Sequence, residues 1–299
     1  MRVTIVGGGG FLGGELVRQA AAAGHRVAAT CFSRPGRAAE AEWRPLDVRD
    51  RDAVAAGLAA LRPDVVVNAA YRQDDWATTA AGAAHVALAC AAQEARLVHV
   101  SSDAVFSGRA VTYAEDAEPD PISPYGAAKA AAEVAVRAID PAAAVVRTSL
   151  IIGDGGSPQE ARVHALATGR ADGVLFTDDV RCPVHVRDLA AALLELAASG
   201  PAGVHHVAGP DAVSRHELGC LIARRDGLDP ARLPTGLRAG SGVSGPVDVR
   251  LDCTATRRRL RTRLRGAREF LRAGAPGPSP AGTTGLPGSQ PPGAAATPD

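Results

Sequence analysis

Aromatic residues make up only 3% of this 299-residue chain. A large core must then come from Ala, Val and Leu, which suits helices laid closely on a sheet better than an aromatic-rich β-sandwich. No apolar run approaches the roughly 18 residues of a membrane-spanning helix. The apolar stretch after Met1-Arg2 breaks into Gly7-Gly8-Gly9-Gly10, too soon for the signal-peptide core of about 7 residues. Net charge is nearly absent, with 33 basic against 32 acidic residues. No global field exists to gather nucleic acid or an anionic membrane, and neither is expected as a partner. The cysteines (Cys31, Cys90, Cys182, Cys220, Cys253) are odd in number, scattered, and never spaced as CxxC. A zinc site or disulfide framework is not expected, and reduced thiols in a cytoplasmic protein are. Lysine is almost missing too. Lys129 is the single lysine among the 33 basic residues, and a lysine that persists in such a chain marks a place where a guanidinium cannot substitute.

What is present is ordinary in amount: 46% hydrophobic and 22% charged residues describe a soluble globular protein, and the length suggests roughly two domains. The order of signals is more telling. Strand-like runs at 3–6, 27–32, 43–46, 65–67 and 97–100 alternate with helical stretches at 12–23, 51–61 and 78–95. Strands separated by helices of this length imply βαβ units and a parallel sheet covered on both faces. The fold class expected is α/β: a Rossmann-type doubly wound parallel sheet over residues 1–150, completed by segments near 174–210. A smaller, interleaved substrate-binding lobe is expected over 151–272. From Ala273 the chain is mostly Pro, Gly, Ala, Ser and Thr, so 273–299 reads as a disordered tail.

Three clusters carry chemistry. Gly7, Gly10 and Gly13 follow the first strand and open the first helix, with Phe11 and Leu12 between them. Such a turn lets backbone approach a pyrophosphate and aims free N–H groups at it. About 20 residues on, where an acid would select NAD, the chain reads Ser33-Arg34. An arginine there pairs with a 2′-phosphate, so NADPH is expected in preference to NADH. Asp47, with Val48 beside it, follows the third strand at the adenine end. Tyr125 and Lys129 stand four apart just after Ser123-Pro124, a good helix start, which places them on one helix face. An ammonium beside a phenol stabilises the phenolate and lowers its pKa. Ser101-Ser102 ends the fifth strand, on the side where such sheets bind ligands.

These residues resemble the extended short-chain dehydrogenase/reductases, and within them the dTDP-4-dehydrorhamnose reductase-like, sugar-nucleotide-binding branch. The similarity runs from about residue 1 to 265. It rests on the glycine turn, the segment 62–70 ending Asn68-Ala69-Ala70, the block Ser101-Ser102-Asp103-Ala104-Val105-Phe106-Ser107-Gly108, Pro124-Tyr125-Gly126 with Lys129, and Arg147-Thr148. Further matches are Cys182-Pro183-Val184 leading to Asp188, and Val249 to Asp252. The resemblance implies Ser102, Tyr125 and Lys129 as the catalytic set, and Ser102, Asp103 and Arg181 as substrate contacts. It implies Asn68, Ala69 and Ala70, with Tyr125 and Lys129, as cofactor contacts. The implied reaction is hydride transfer from NADPH to the C4 ketone of a nucleotide-linked 4-keto-6-deoxysugar, with Tyr125 as acid. A NAD-dependent epimerase or dehydratase and a non-catalytic binding subunit of the same fold are the alternatives. Ala104 stands where the family often has tyrosine, alanine near Ala81 where it has asparagine, and Val180-Arg181-Cys182 where Gln-Gly-small is usual.

No metal-ligand cluster is visible, so Mg2+ has no indicated site, and a homodimer is the assembly kept open. His185 and the His205-His206 pair read as structural histidines. The arginines 257–265, with Leu260 and Leu264 spaced i, i+4, read as an amphipathic helix with a solvated basic face.

Overall fold

The computed structural model describes residues 1–36 and 38–272; the tail expected over 273–299 lies outside the described residues. Its centre is a sheet of seven parallel strands: β1 (Arg2–Val6), β2 (Arg26–Cys31), β3 (Glu42–Pro45), β4 (Val65–Asn68), β5 (Arg96–Ser102), β6 (Ala144–Thr148) and β7 (Gly203–Val207). Their spatial order is β7-β6-β5-β4-β1-β2-β3, and every neighbouring pair is parallel.

The apolar runs are continuous because both faces of the sheet are covered. Val65 and Val67 pack with α1 (Phe11–Ala22) and α6 (Val186–Ser199) on one face. Val66 between them points the other way, toward α2 (Arg51–Leu61), α3 (Gly82–Ala92) and α4 (Pro124–Ile139). A period of two in side-chain direction thus divides one run of valines between two cores. The strand order reverses between β1 and β4, and ligands of such sheets bind in the crevice beyond the carboxyl ends at that switch point.

The second half of the chain supplies β7, which lies beside β6 from Gly203 opposite Ala144 to Val207 opposite Thr148. It also forms a separate apolar cluster in which α5 (Pro158–Ala167) and α7 (Arg215–Arg225) pack with Ile152, Leu175, Leu233 and Phe270.

Two expectations need correction. The helix expected over 78–95 is shorter. A wide π-type turn at Ala77–Ala81 precedes it, and α3 ends at Ala92. Asp75 caps the turn by accepting from the Thr78 backbone and hydroxyl. Gly82 then abuts Val48, whose methyl carbon would lie 2.7 Å from any added Cβ. The arginine-rich helix stops at Arg259. Beyond it, the N–H groups of Arg261 and Thr262 donate to Glu195, and that of Arg265 donates to Asp188. Acidic side chains of α6 thus take bonds that a continuing helix would have made internally. Leu264 is buried while Arg257, Arg258 and Arg259 are exposed.

Candidate active site

The glycine turn brings β1 and α1 together backbone against backbone. Gly7 has φ +83°, and a Cβ on it would lie 2.8 Å from the Ala70 nitrogen. Helix α1 starts after Gly10 with no side-chain cap and no acidic residue in its first turn. Its first N–H groups and positive dipole end therefore stay free for an anion. This cradle has the shape and donor set that a dinucleotide diphosphate needs.

Two adjoining cavities meet at this turn, with Gly10, Ala69 and Tyr71 in the wall of both. One, of about 530 Å³, is bordered by Gly7, Ser33, Arg34, Asp47, Val48 and Ala70. Here Arg49 lies over the Phe32 ring, 5.3 Å from its centroid, and pairs with Asp47 at 2.7 Å. That hydrogen-bonded guanidinium holds the Asp47 carboxyl below its ordinary range. Asn68 does not line either cavity. It is buried, accepts from the Ala70 N–H and meets His99 Nδ1 at 3.3 Å. Its place is to brace the Ala69–Ala70 backbone from beneath.

The second cavity, of about 460 Å³, holds Phe11, Leu12 and Gly13 on one side and Ser102, Tyr125 and Lys129 on another. Ser123 caps α4 by accepting from the Gly126 N–H, and Pro124 occupies the first turn. Tyr125 and Lys129 therefore stand one helical turn apart facing the same space. Lys129 is buried and donates to the Val100 carbonyl at 2.9 Å. Its ammonium also lies 5.1 Å from the centroid of Tyr71, whose ring is 5.9 Å from that of Tyr125. Burial pushes Lys129 down to about 8, with Glu133 opposing. Burial pushes the Tyr125 phenol well above its ordinary value; Tyr71 adds to this, hydrogen bonding with Ser102 opposes it and Asp103 adds a little more. The sequence suggested the reverse, a phenol made more acidic by the ammonium. Desolvation outweighs that effect here, and the ammonium is turned to the Val100 carbonyl and the Tyr71 face.

Asp103 is turned inward, accepting from Ser149 Oγ at 2.7 Å with Arg181 Nε 3.7 Å away. Arg181 is one of three arginines converging on the buried carboxylate of Asp179, with Arg181 at 2.9 Å, Arg215 at 3.3 Å and Arg238 at 2.6 Å. All three guanidinium side chains border the cavity. Asp179 and Asp103 together still leave the three guanidiniums with positive charge in excess, so this end of the cavity favours an anion. Of the three, only Arg181 stood out in the sequence. Arg215 and Arg238 come from separate segments of an arginine-rich chain and have no local signature; Tyr71 had none either.

Among the described residues, no group of three or more His, Cys, Asp or Glu side chains could hold a metal ion. Also among them, no helix is long and apolar enough to cross a membrane. His185 caps α6, and His205 and His206 are buried on β7.

A doubly wound sheet, a glycine turn at its switch point and a Ser-Tyr-Lys wall beside that turn define a class: the NAD(P)H-dependent oxidoreductases of the short-chain type. More narrowly, the chain belongs to the RmlD substrate binding domain family, which it matches over residues 1–273. It is 37% identical over 246 residues to the dTDP-4-dehydrorhamnose reductase of Mycolicibacterium smegmatis, covering 78% of this chain and 71% of that protein. Its fold is similar to that of the Bacillus anthracis dTDP-4-dehydrorhamnose reductase solved with NADP. There the TM-score is 0.75 at 23% identity, over 90% of this chain and 96% of the other. The structure of MoeE5 with UDP-glucose and NAD gives a TM-score of 0.78 at 23% identity, over 91% and 96% of the two chains.

Proposed function

We propose that this protein reduces the C4 ketone of a nucleotide-linked 4-keto-6-deoxysugar with NADPH. The observation that carries the reading is the meeting of Ser102, Tyr125 and Lys129 with the glycine turn around one cavity. When bound, NADPH supplies the hydride. Gly7, Gly10 and Gly13 with the start of α1 would hold its diphosphate, Ser33 and Arg34 its 2′-phosphate, and Asp47 and Val48 its adenine end.

The chain's own residues manage the proton and the charge. Tyr125 is protonated at neutral pH and so carries the proton to give, although burial makes its phenol a weaker acid and leaves the transfer dependent on positive charge nearby. It gives its proton to the oxygen at C4 as negative charge develops there. Ser102 donates a hydrogen bond to the same oxygen, and Lys129, one helical turn along, supplies positive charge in the same cavity wall as the phenolate left behind. Arg181, Arg215 and Arg238 form the polar end of the cavity and suit the diphosphate of a nucleotide sugar. The enzyme is placed in the cytoplasm, in keeping with five free cysteines, and a homodimer is its proposed assembly.

The test is NADPH oxidation against a panel of dTDP-4-keto-6-deoxysugars, with product stereochemistry by NMR. Tyr125→Phe is expected to lower kcat by about 10²–10⁴-fold while still binding NADPH. Undiminished turnover in that variant would exclude the mechanism.

A further inference from the structure

Behind the catalytic wall lies a buried charge cluster that the reaction as described does not use. Glu133 follows Lys129 by one turn on α4, and Glu133 and Arg147 of β6 are each 1% exposed. The Arg147 Nε donates to both Glu133 oxygens at 3.1 Å, and Nη2 donates to Oε2 at 2.8 Å. The Ser101 hydroxyl donates to the same carboxylate. Arg147 uses Nη1 on the backbone carbonyls of Glu115 and Ala117, at 3.4 and 3.1 Å. The end of β5 is thus tied to α4 at successive residues, through Val100 to Lys129 and through Ser101 to Glu133, immediately before Ser102. A buried ion pair is a poor device for stability alone, since desolvation consumes most of the Coulombic gain and an apolar pair packs as well.

We propose that Glu133 is a positioning residue. Its carboxylate, fixed by Arg147 and Ser101, is the counter-charge that keeps Lys129 an ammonium in the catalytic wall. This inference rests on the reading of Lys129 as a working ammonium.

The groups around Lys129 single out Glu133. On its own helix stand Tyr125 and Glu133. From β5 comes His99, which burial pushes down to about 3 and keeps neutral. From the segment after β4 comes the ring face of Tyr71. From β6 comes Arg147, positive and engaged with Glu133. Of these, Glu133 alone carries negative charge, and it is the group that opposes the effect of burial on Lys129.

Lys129 is the only lysine in the chain, so protein grown on ζ-15N-lysine gives one lysine side-chain signal. Its pH titration reads Lys129 directly, without turnover. Glu133→Gln is expected to lower the midpoint by about one pH unit or more, about tenfold in the acid constant. Glu133→Asp should recover most of that shift. The alkaline limb of kcat against pH should move by the same amount, with KM for the sugar nucleotide little changed. An identical Lys129 titration in wild type and Glu133→Gln overturns the inference. Should Glu133→Gln fail to fold because Arg147 is left unpaired, Glu133→Gln with Arg147→Met removes both charges together, the milder change for a buried pair. The downward shift there is expected to be smaller, because the positive charge of Arg147 is lost as well, and a Lys129 midpoint at or above the wild-type value overturns the inference equally. A shifted titration with an unmoved kcat profile leaves the role of Glu133 standing and removes Lys129 from the reaction.

Discussion

The carbonyl oxygen of Gly7 lies 2.1 Å from where a Cβ on Gly13 would stand. No side chain, however small, fits between strand β1 and helix α1 at that point. Gly13→Ala must therefore push the start of α1 away from the sheet. The expected cost is about 1–3 kcal/mol of stability, the usual range for overpacking, together with weakened NADPH binding because the helix start no longer faces the diphosphate. Thermal unfolding and NADPH fluorescence titration check both.

Arg34 borders the cavity of about 530 Å³ and makes no ion pair with the described residues. A charge-assisted hydrogen bond contributes about 1.5–3 kcal/mol, so Arg34→Ala should raise the KM for NADPH by about ten- to a hundredfold. The KM for NADH should barely move. A wild-type enzyme that already prefers NADH would remove this role from Arg34.

Burial holds Lys129 down to about 8, below its ordinary 10.5. Activity should accordingly fall as pH rises through about 8 and the ammonium is lost. Stability runs in the opposite sense. A base whose folded pKa is depressed leaves the unfolded chain binding more protons between the two values, so this contribution improves from pH 8 to 10.5. Lys129→Met should abolish turnover yet raise stability at pH 7 by on the order of 1–3 kcal/mol. The gain should fade by about pH 10.5. Denaturant unfolding at pH 7 and pH 10 measures the difference.

Arg238 pairs with Asp179 and donates to the Ser244 carbonyl at the edge of the cavity. On the proposed reading it contributes to binding the nucleotide sugar rather than to proton transfer. Arg238→Ala should raise KM for the nucleotide sugar by about tenfold or more and leave kcat within about twofold, the signature of lost uniform binding. A fall in kcat with unchanged KM would contradict this.

Much of the fold was legible because valine runs and helix starts are local signals. Ser123-Pro124 marks the beginning of α4, and the four-residue step from Tyr125 to Lys129 fixes a shared face once that helix exists. What escaped depends on distance. Arg261, Thr262 and Arg265 read as helical until Glu195 and Asp188, from α6, take their N–H groups. Arg215 and Arg238 join Arg181 only through Asp179, and nothing in their own neighbourhoods announces it. The raised phenol of Tyr125 follows from burial beneath a folded wall, which spacing alone does not reveal.

β7 comes from beyond residue 200 and seals the flank of β6, a strand of the first half. A fragment ending near residue 150 would leave that flank with a row of bare amides and carbonyls, a template for sticking to other chains. In chimaeras that exchange the second half between relatives, the seam β6–β7 therefore becomes a junction between two sequences, and carrying Gly203–Val207 with the first half keeps that pairing intact.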